Sequence, residues 1–500
     1  MIDNIASLMG GFAVAFTAQH VVLMFAGVLF GLVVGVLPGL GAPNGVSLLL
    51  PLTFTMEPVS AIILLTSMYW GALIGGSTTS ILFNIPGEPS SVATTFDGHP
   101  MAKSGRATQA LTFAFLSSGF GALFGVVVVT LLAGYVTKFA LLFSPVEYFT
   151  VFVLAFTSFV AFGGGDPVKT LVSIALGLAM AAVGMDTISG SMRLTYEIPD
   201  LVRGISFLVV VIGLFGLGEL LESVQSPVVA KAVTTRLDLR EVGRALLEWP
   251  RYWIALLRSA IVGCWMGIAP GGPTAASFMS YGLGKRFSEA GKRFGTGEPE
   301  GLVSAEAADQ AAGSSAMLPM LALGLPSSAT AAVLLGGLLM WGITPGPTLF
   351  KERPDFVWGL IASMYMANVA AVILALATVP LFARLMQVPF TINGPLIAVV
   401  CVIGAWTVSG APFDLWLLLL FGAVGYTMKA LDYPIAPLVL AMVLGDRTED
   451  AFRQSMLLSK GNPLVFVSTP ISATLSALAF LCLAVAIVGA LRRSLKGTVA

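Results

Sequence analysis

Small hydroxyl and amide side chains gather beside four glycine- and proline-rich interruptions of an otherwise apolar chain. The first, GVLPGLGAPNG at 35–45, carries Asn44, with Ser47 just beyond; its counterpart, GIAPGGPT at 267–274, carries Thr274, with Ser277 beyond. Ser77, Thr78, Thr79, Ser80 and Asn84 precede GEPSSVAT at 87–94, which holds Ser90 and Ser91. Ser314 and Ser315 precede GLPSSATA at 324–331, which holds Ser327, Ser328 and Thr330. Pro38, Gly39, Gly41, Pro89, Pro270, Gly271, Gly272 and Pro326 are the residues that would stop a helix at these places.

A helix stopped inside a membrane leaves N–H groups at its new N-terminus and carbonyls at its new C-terminus. The amides attract anions. Freed carbonyls and neutral hydroxyls suit hard cations such as Na+. A carboxylate could be gripped this way without a buried arginine. The competing reading for each serine is packing, because small residues let membrane helices approach and Ser or Thr can bond its own helix. For each glycine or proline it is a simple kink. Clustering at matching positions in the two halves favours a binding site for substrate or ion.

The elements that must carry these residues are membrane helices. The 500-residue chain is 57% hydrophobic and only 10% charged, with a mean hydropathy of +0.92. Soluble chains carry about a quarter charged residues. Many apolar runs reach the roughly 20 residues that span lipid, and none shows the alternation of a barrel strand. Backbone in lipid must satisfy its own hydrogen bonds, so the fold class is all-α polytopic. Formal net charge is zero, which gives no reason to expect nucleic acid. Cys264, Cys401 and Cys482 lie singly in apolar runs and read as small buried residues. MIDNIASLMGG at the N-terminus has no Lys or Arg, so a retained first helix is expected rather than a cleaved signal.

The interruptions recur as a repeat. GVLPGLG at 35–41 matches GIAPGGP at 267–273, and GEPSSVAT matches GLPSSATA, the second pair at a separation that extends without gaps back to Gly76-Ser77 on Gly313-Ser314. Paired interrupted segments are the best sequence pointer to a transporter's binding site. No Lys or Arg precedes Lys103. Lys231, Arg236, Arg240, Arg244, Arg251 and Arg258 precede the second PG-break, and Lys285, Arg286, Lys292 and Arg293 follow it. The positive-inside rule then makes 259–284 a re-entrant hairpin from the cytoplasm, and its counterpart 27–52 one from the other face. That predicts two inverted repeats, 1–224 and 259–500, joined by a basic cytoplasmic linker at 225–258, with broken helices meeting near the midplane. Lys103 and Arg106 suit this topology; Lys351 and Arg353 would face outward. A parallel duplication with ordinary spans is the alternative. Crossings are expected near 59–83, 108–134, 147–163, 167–186, 203–221, 311–340, 357–383, 389–408, 412–430 and 464–491, with 433–460 ambiguous and 285–310 a polar excursion.

Asp166, Asp414, Asp432, Asp446, Glu219 and Glu222 fall near helix ends, where capping or solvation explains them, and His20 and His99 stand alone. No proton relay emerges, which favours Na+ over H+ as a coupling ion. An enzyme finds no support: there is no H-E-x-x-H and no G-x-S-x-G, and GGGDPVKT at 163–170 lacks P-loop spacing. A channel remains open, since broken helices also build filters.

GLVVGVLPGLGAPNGVSLLLPLTF at 31–54, SMYWGALIGGSTTSILFNIPGEPSSVATTFDGHPMAKSG at 67–105, MGIAPGGPTAASFMSYGLGKRFS at 266–288 and EAADQAAGSSAMLPMLALGLPSSATAAVLLGGLLMWGITPGP at 306–347 resemble the large membrane subunit of tripartite tricarboxylate transporters, the TctA type. The resemblance covers essentially the whole chain. It implies a multi-pass protein of the bacterial inner membrane that takes up tri- or dicarboxylates on a cation gradient. It also implies two partners, a small membrane subunit and a periplasmic solute-binding protein, and no cofactor beyond the coupling cation. The family motif falls here on Pro38, Gly39, Gly41, Pro86, Gly87, Pro89, Ser90, Ser91, Pro270, Gly271 and Gly272. PGGP at 270–273 departs from the more glycine-rich pattern expected there.

Overall fold

The structure, a computed structural model, describes residues 2–37, 40–162, 166–186, 189–225, 239–269, 271–385 and 390–497. The helices of the first half are α1 (Ile2–Ala15), α2 (Ala18–Val36), α3 (Gly41–Leu49), α4 (Pro58–Phe83), α5 (Val92–Met101), α6 (Ala107–Ala140), α7 (Pro145–Phe162), α8 (Pro167–Ala181), α9 (Phe207–Val211) and α10 (Gly218–Gln225). A π-helical stretch joins α9 to α10, and a short antiparallel ribbon, β1 (Gly184–Met185) with β2 (Met192–Arg193), lies between α8 and α9. After α11 (Leu239–Glu248) come α12 (Trp253–Ile268), α13 (Gly272–Phe287), α14 (Pro299–Ser315), α15 (Met317–Leu323), α16 (Ala329–Met340), α17 (Leu349–Glu352) and α18 (Pro354–Leu385). The chain closes with α19 (Phe390–Ser409), α20 (Pro412–Ala430), α21 (Ile435–Leu458) and α22 (Pro470–Gly497).

Among the described residues, seven helical segments are long and apolar enough to cross a membrane, and α7, α8 and α16 are shorter apolar helices. The protein is an all-α polytopic membrane protein. The crossing expected at 311–340 is not one span: α14 gives way to α15 at Ala316, α15 stops at Gly324 and α16 starts afresh at Ala329. The polar excursion expected over 285–310 is also shorter than its composition suggests. α13 continues to Phe287 and α14 begins at Pro299, and every residue from Gly301 to Ser315 is buried.

Glycines set the closest helix contacts. Gly27, Gly31 and Gly35 line one face of α2, and a Cβ at any of them would collide with the carbonyls of Leu64, Met68 and Ala72 in turn on α4. Ser259, Gly263 and Gly267 form the same row on α12, where Gly263 and Gly267 meet the carbonyls of Ala308 and Ala312 on α14. In each pair the two helices run in the same direction. Such rows let backbones approach closely, which in lipid replaces the missing hydrophobic drive for association.

The halves are interleaved. α6 packs along α14 of the other half while α18 packs along α4, and α8 packs on α21 while α20 packs on the α9–α10 segment. α4 and α14 themselves cross antiparallel, with Ser77 meeting Glu306 near one end and the Tyr69 hydroxyl 3.3 Å from a Cβ position on Gly313 near the other.

α12 and α13 form a hairpin. Its open ends lie side by side, since a Cβ at Gly284 would sit 3.1 Å from the Arg258 guanidinium. The Arg106 guanidinium donates to the Gly297 carbonyl at 2.9 Å, which brings the start of α6 to this same basic end. Lys351 and Arg353 lie at the other end: α18 runs antiparallel to α6, with Thr130 against Tyr365 at 2.9 Å and Gly119 against Val372.

Candidate functional site

Both late breaks follow one backbone path. α4 stops at Asn84 in the left-handed region (φ 58°), and the chain runs extended to Glu88, the N-cap of the next turn. α15 stops at Gly324 (φ 69°), and the chain runs extended to Ser328, the N-cap of α16. Glu88 accepts from the Ser91 N–H and Ser328 from the Ala331 N–H, each three residues on, as N-caps do. Asn84-Ile85-Pro86-Gly87-Glu88 therefore corresponds to Gly324-Leu325-Pro326-Ser327-Ser328. The glycine rows agree, pairing Met68 with Ala308 and Ala72 with Ala312, a constant separation of 240 residues. The sequence match of GEPSS with GLPSS is three residues out of register with this equivalence. Pro86, not Pro89, stands where Pro326 does.

The early breaks sit against the late ones. Gly41 opens α3 at φ +56°, which a side-chain-bearing residue rarely adopts, and a Cβ there would lie 3.4 Å from the Glu88 carboxylate. The Ala42 N–H donates to Glu88 Oε1, so a single carboxylate caps two helix starts. In the second half Gly272 opens α13 at φ +63°, and a Cβ there would meet the Ser327 carbonyl at 2.9 Å and Ser328 Cβ at 3.2 Å. Each early break thus touches the N-cap formed by the late break of its own half.

Between the breaks lie acidic side chains that the sequence reading left out. Glu306 and Asp309, with Gln310 and Gly313, share one face of α14 by their i, i+3, i+4, i+7 spacing. Glu306 accepts from Ser77 at 2.8 Å, Thr94 at 2.5 Å and Ser118 at 2.7 Å, tying α14 to α4, α5 and α6. Such hydrogen bonds contribute about 0.5–1.5 kcal/mol each, and leaving a buried acceptor without them costs more. Asp309 Oδ1 and both polar atoms of Gln310 are buried without a partner. The buried Tyr69 hydroxyl lies against Ser328 and within electrostatic reach of Asp309 and Glu88. Asp309 in turn faces the Ser90 hydroxyl. At the 240-residue separation Tyr69 and Asp309 are equivalent positions, so the two halves present them to each other.

Of the residues singled out from sequence, Pro38, Gly39 and Pro270 lie outside the described residues. Gly41, Gly271 and Gly272 open the helices after the early breaks, Asn44 is buried in α3, and Thr274 is half-buried in α13. Ser77 joins the Glu306 cluster. Ser91 donates to the Glu88 carbonyl at 2.9 Å and accepts from Ser80 at 3.0 Å. Thr79 bonds the Gly76 carbonyl of its own helix, whereas Thr78, Ser314 and Ser327 have buried hydroxyls without partners and the buried Ser90 hydroxyl faces Asp309. Ser328 caps α16 beside the buried Pro326, and Pro89 is exposed. Ser315 bonds back to the Ala311 carbonyl at 2.7 Å and packs on Gly267. That makes it a packing residue between α12 and α14. Asp166 caps α8 as expected, but Asp414 does not cap α20; it accepts from Ser409. No group of three His, Cys, Asp or Glu side chains suited to a metal occurs among the described residues.

A separate cavity of about 630 Å³ reaches the far end of α16 at Gly336, Leu339 and Met340. Its wall is charged, with Arg193 paired to Glu449 at 2.8 Å and Asp186 paired to Arg453 at 2.9 Å.

Residues 21–440 match the family described as the tripartite tricarboxylate transporter TctA family. The chain belongs to that family. Two relatives come from Agrobacterium vitis. One, described as an uncharacterized 52.8 kDa protein in the TAR-I ttuC' 3' region, is 36% identical over 501 residues, covering 98% of each chain. The other, an uncharacterized protein in the TAR-II ttuC' 3' region, is 35% identical over 231 residues, 46% of this chain and 96% of the relative. No solved structure matches the chain. As a TctA-family member it is a multi-pass protein of a transporter family, and the breaks described above fall within the matched span.

Proposed function

We propose that this chain is the large permease subunit of a binding-protein-dependent secondary transporter that takes up tri- or dicarboxylates by Na+ symport. Its partners are a small membrane subunit and a periplasmic solute-binding protein, and it sits in the bacterial inner membrane. The two halves act as inverted repeats. The antiparallel crossing of α4 and α14, and the shared basic end of α6, α12 and α13, support that reading.

One observation carries the proposal: helix starts from both halves meet around Glu88 and Ser328 in the protein interior. Helix N-termini suit substrate carboxylates, and the surrounding hydroxyls suit Na+. Alternating access would move this site as a body against the outer helices. The charged cavity at the end of α16 suits the approach to the site from the face opposite the basic loops.

The test is uptake into vesicles holding this chain, its small subunit and its binding protein, across mono-, di- and tricarboxylates, with and without a sodium gradient. Sodium-dependent accumulation of one acid is the expected result. Uptake that never exceeds equilibrium under sodium, proton or potential gradients would make the protein a channel instead.

A further inference from the structure

The interior of this protein buries carboxyl groups with no basic side chain to match them. Glu88, Glu306 and Asp309 are 6%, 1% and 2% exposed, and none of the ion pairs among the described residues includes them. Burying an unpaired carboxylate costs several kcal/mol. Glu306 is compensated by three hydroxyl donors. Glu88 is compensated by backbone N–H groups of Ala42 and Ser91. Asp309 has no such support on Oδ1; the Ser90 hydroxyl faces its carboxyl, and the Tyr69 hydroxyl lies beside it and against Ser328. A buried polar atom left without a partner, as Asp309 Oδ1 is, adds roughly 1–3 kcal/mol to the cost.

These atoms share a chemistry: all are oxygens, two of them from carboxylates, gathered where two helix breaks meet. Hard cations prefer such a set. A di- or tricarboxylate brought to the same interior would meet like charge on any ionised Glu88 or Asp309, which a bound cation or proton would offset. We propose that Asp309 and Glu88, with the hydroxyl oxygens of Ser90 and Tyr69, bind a monovalent cation, Na+ or a proton, and that this cation loads before an anionic substrate.

The pseudo-symmetry sharpens the assignment. Where the first half has Glu88 the second has Ser328, and where the second half has Asp309 the first has Tyr69. Only one of the two equivalent positions collects a pair of carboxylates, so the site holds one cation rather than a symmetric two. The titratable groups facing Asp309 are Glu306 on its own helix, Tyr69 on α4 and Glu88 in the break; the Asp97–Tyr281 pair lies further along α14, at Gly301.

The loading order rests on the carboxylate-uptake reading, but the cation site does not, and its test needs no transport. The purified full-length chain, with no carboxylate added, is titrated with NaCl against choline chloride at constant ionic strength, at several pH values. Thermal unfolding and the fluorescence of buried Trp70, next to Tyr69, are followed. The expected result is a saturable Na+-dependent rise in Tm whose half-saturation increases at least about tenfold in Asp309→Asn and in Ser90→Ala. A Tm that ignores Na+ but follows pH in the wild type and loses that dependence in Asp309→Asn supports the same site with a proton as its occupant. Should Asp309→Asn fail to fold, Ser90→Ala and Glu88→Gln are read in the same assay. A wild-type response to Na+ and pH that these variants retain unchanged overturns the proposal, as does the absence of any response in the wild type. A chain that passes this test and yet accumulates no carboxylate would overturn the uptake reading alone.

Discussion

The Tyr281 hydroxyl donates to the Asp97 carboxylate at 2.9 Å, joining α13 to α5 across 184 residues of sequence. The other Asp97 oxygen accepts the backbone N–H groups of Gly295, Gly297 and Glu298 at 2.8–2.9 Å. One fully buried carboxylate thereby fixes the loop between α13 and α14 to the helix that follows the first late break. Asp97→Ala should leave three N–H groups and a phenol without an acceptor, at about 1–3 kcal/mol for each group left buried. The expected outcome is a drop in Tm of several degrees in detergent, much larger than for Tyr281→Phe, which removes one donor only. Equal effects of the two variants would mean that the loop is held by other contacts.

The two left-handed glycines should tolerate substitution unequally. Both Gly41 and Gly272 pay about 1–2 kcal/mol for a Cβ in that region. At Gly41 the new atom has ordinary contact distance to Glu88, whereas at Gly272 it meets the Ser327 carbonyl at 2.9 Å. Gly272→Ala should therefore reduce uptake more than Gly41→Ala, with both proteins still reaching the membrane. Initial rates normalised to the amount of inserted protein measure this.

Gly31→Val and Gly263→Val should give proteins that aggregate on size-exclusion chromatography, because each Cβ would overlap a carbonyl oxygen of α4 or α14. Gly282→Ala, where nothing lies within 4 Å, is the control and should behave as the wild type. Normal elution of both valine variants would show that the helix pairs can spread apart at little cost.

Glu306 should be more sensitive than any hydroxyl around it. Ser118→Ala removes one of three donors and should lower stability by about 1–3 kcal/mol, leaving uptake measurable. Glu306→Ala removes the acceptor shared by Ser77, Thr94 and Ser118 and should prevent recovery of folded protein. Fluorescence-detected size-exclusion profiles of the two variants would separate these outcomes.

Much of this arrangement can be read from residues alone. Glycine and proline interrupt the apolar runs, so the early and late breaks and the hairpin at 259–284 follow from local chemistry. The register of the repeat does not. Shared letters align GEPSS with GLPSS, yet the backbone path aligns Glu88 with Ser328, because an N-cap can be a carboxylate or a hydroxyl and identity does not record that equivalence. The acidic face of α14 was hidden by its composition, since EGLVSAEAADQ reads as a solvated loop when burial is judged from hydropathy. The spacing of Glu306, Asp309, Gln310 and Gly313 was the signal available: polar residues on one helical face, a turn apart, directly before a break. Glu88 lies inside the GEPSS motif, where the neighbouring serines carry the more visible signal.

The burial of α14 has a consequence for how the protein is made. At 17 residues, with two carboxylates and a glutamine buried along it, α14 is a poor candidate to leave the translocon by itself; an aspartate at a helix centre costs roughly 2.5–3.5 kcal/mol at that step. The partners that make it tolerable, α4, α5, α6, α12 and α13, all precede it in the chain. The helices that carry Ser77, Thr94 and Ser118 are therefore made before Glu306, so α14 meets donors for its carboxyl as it docks.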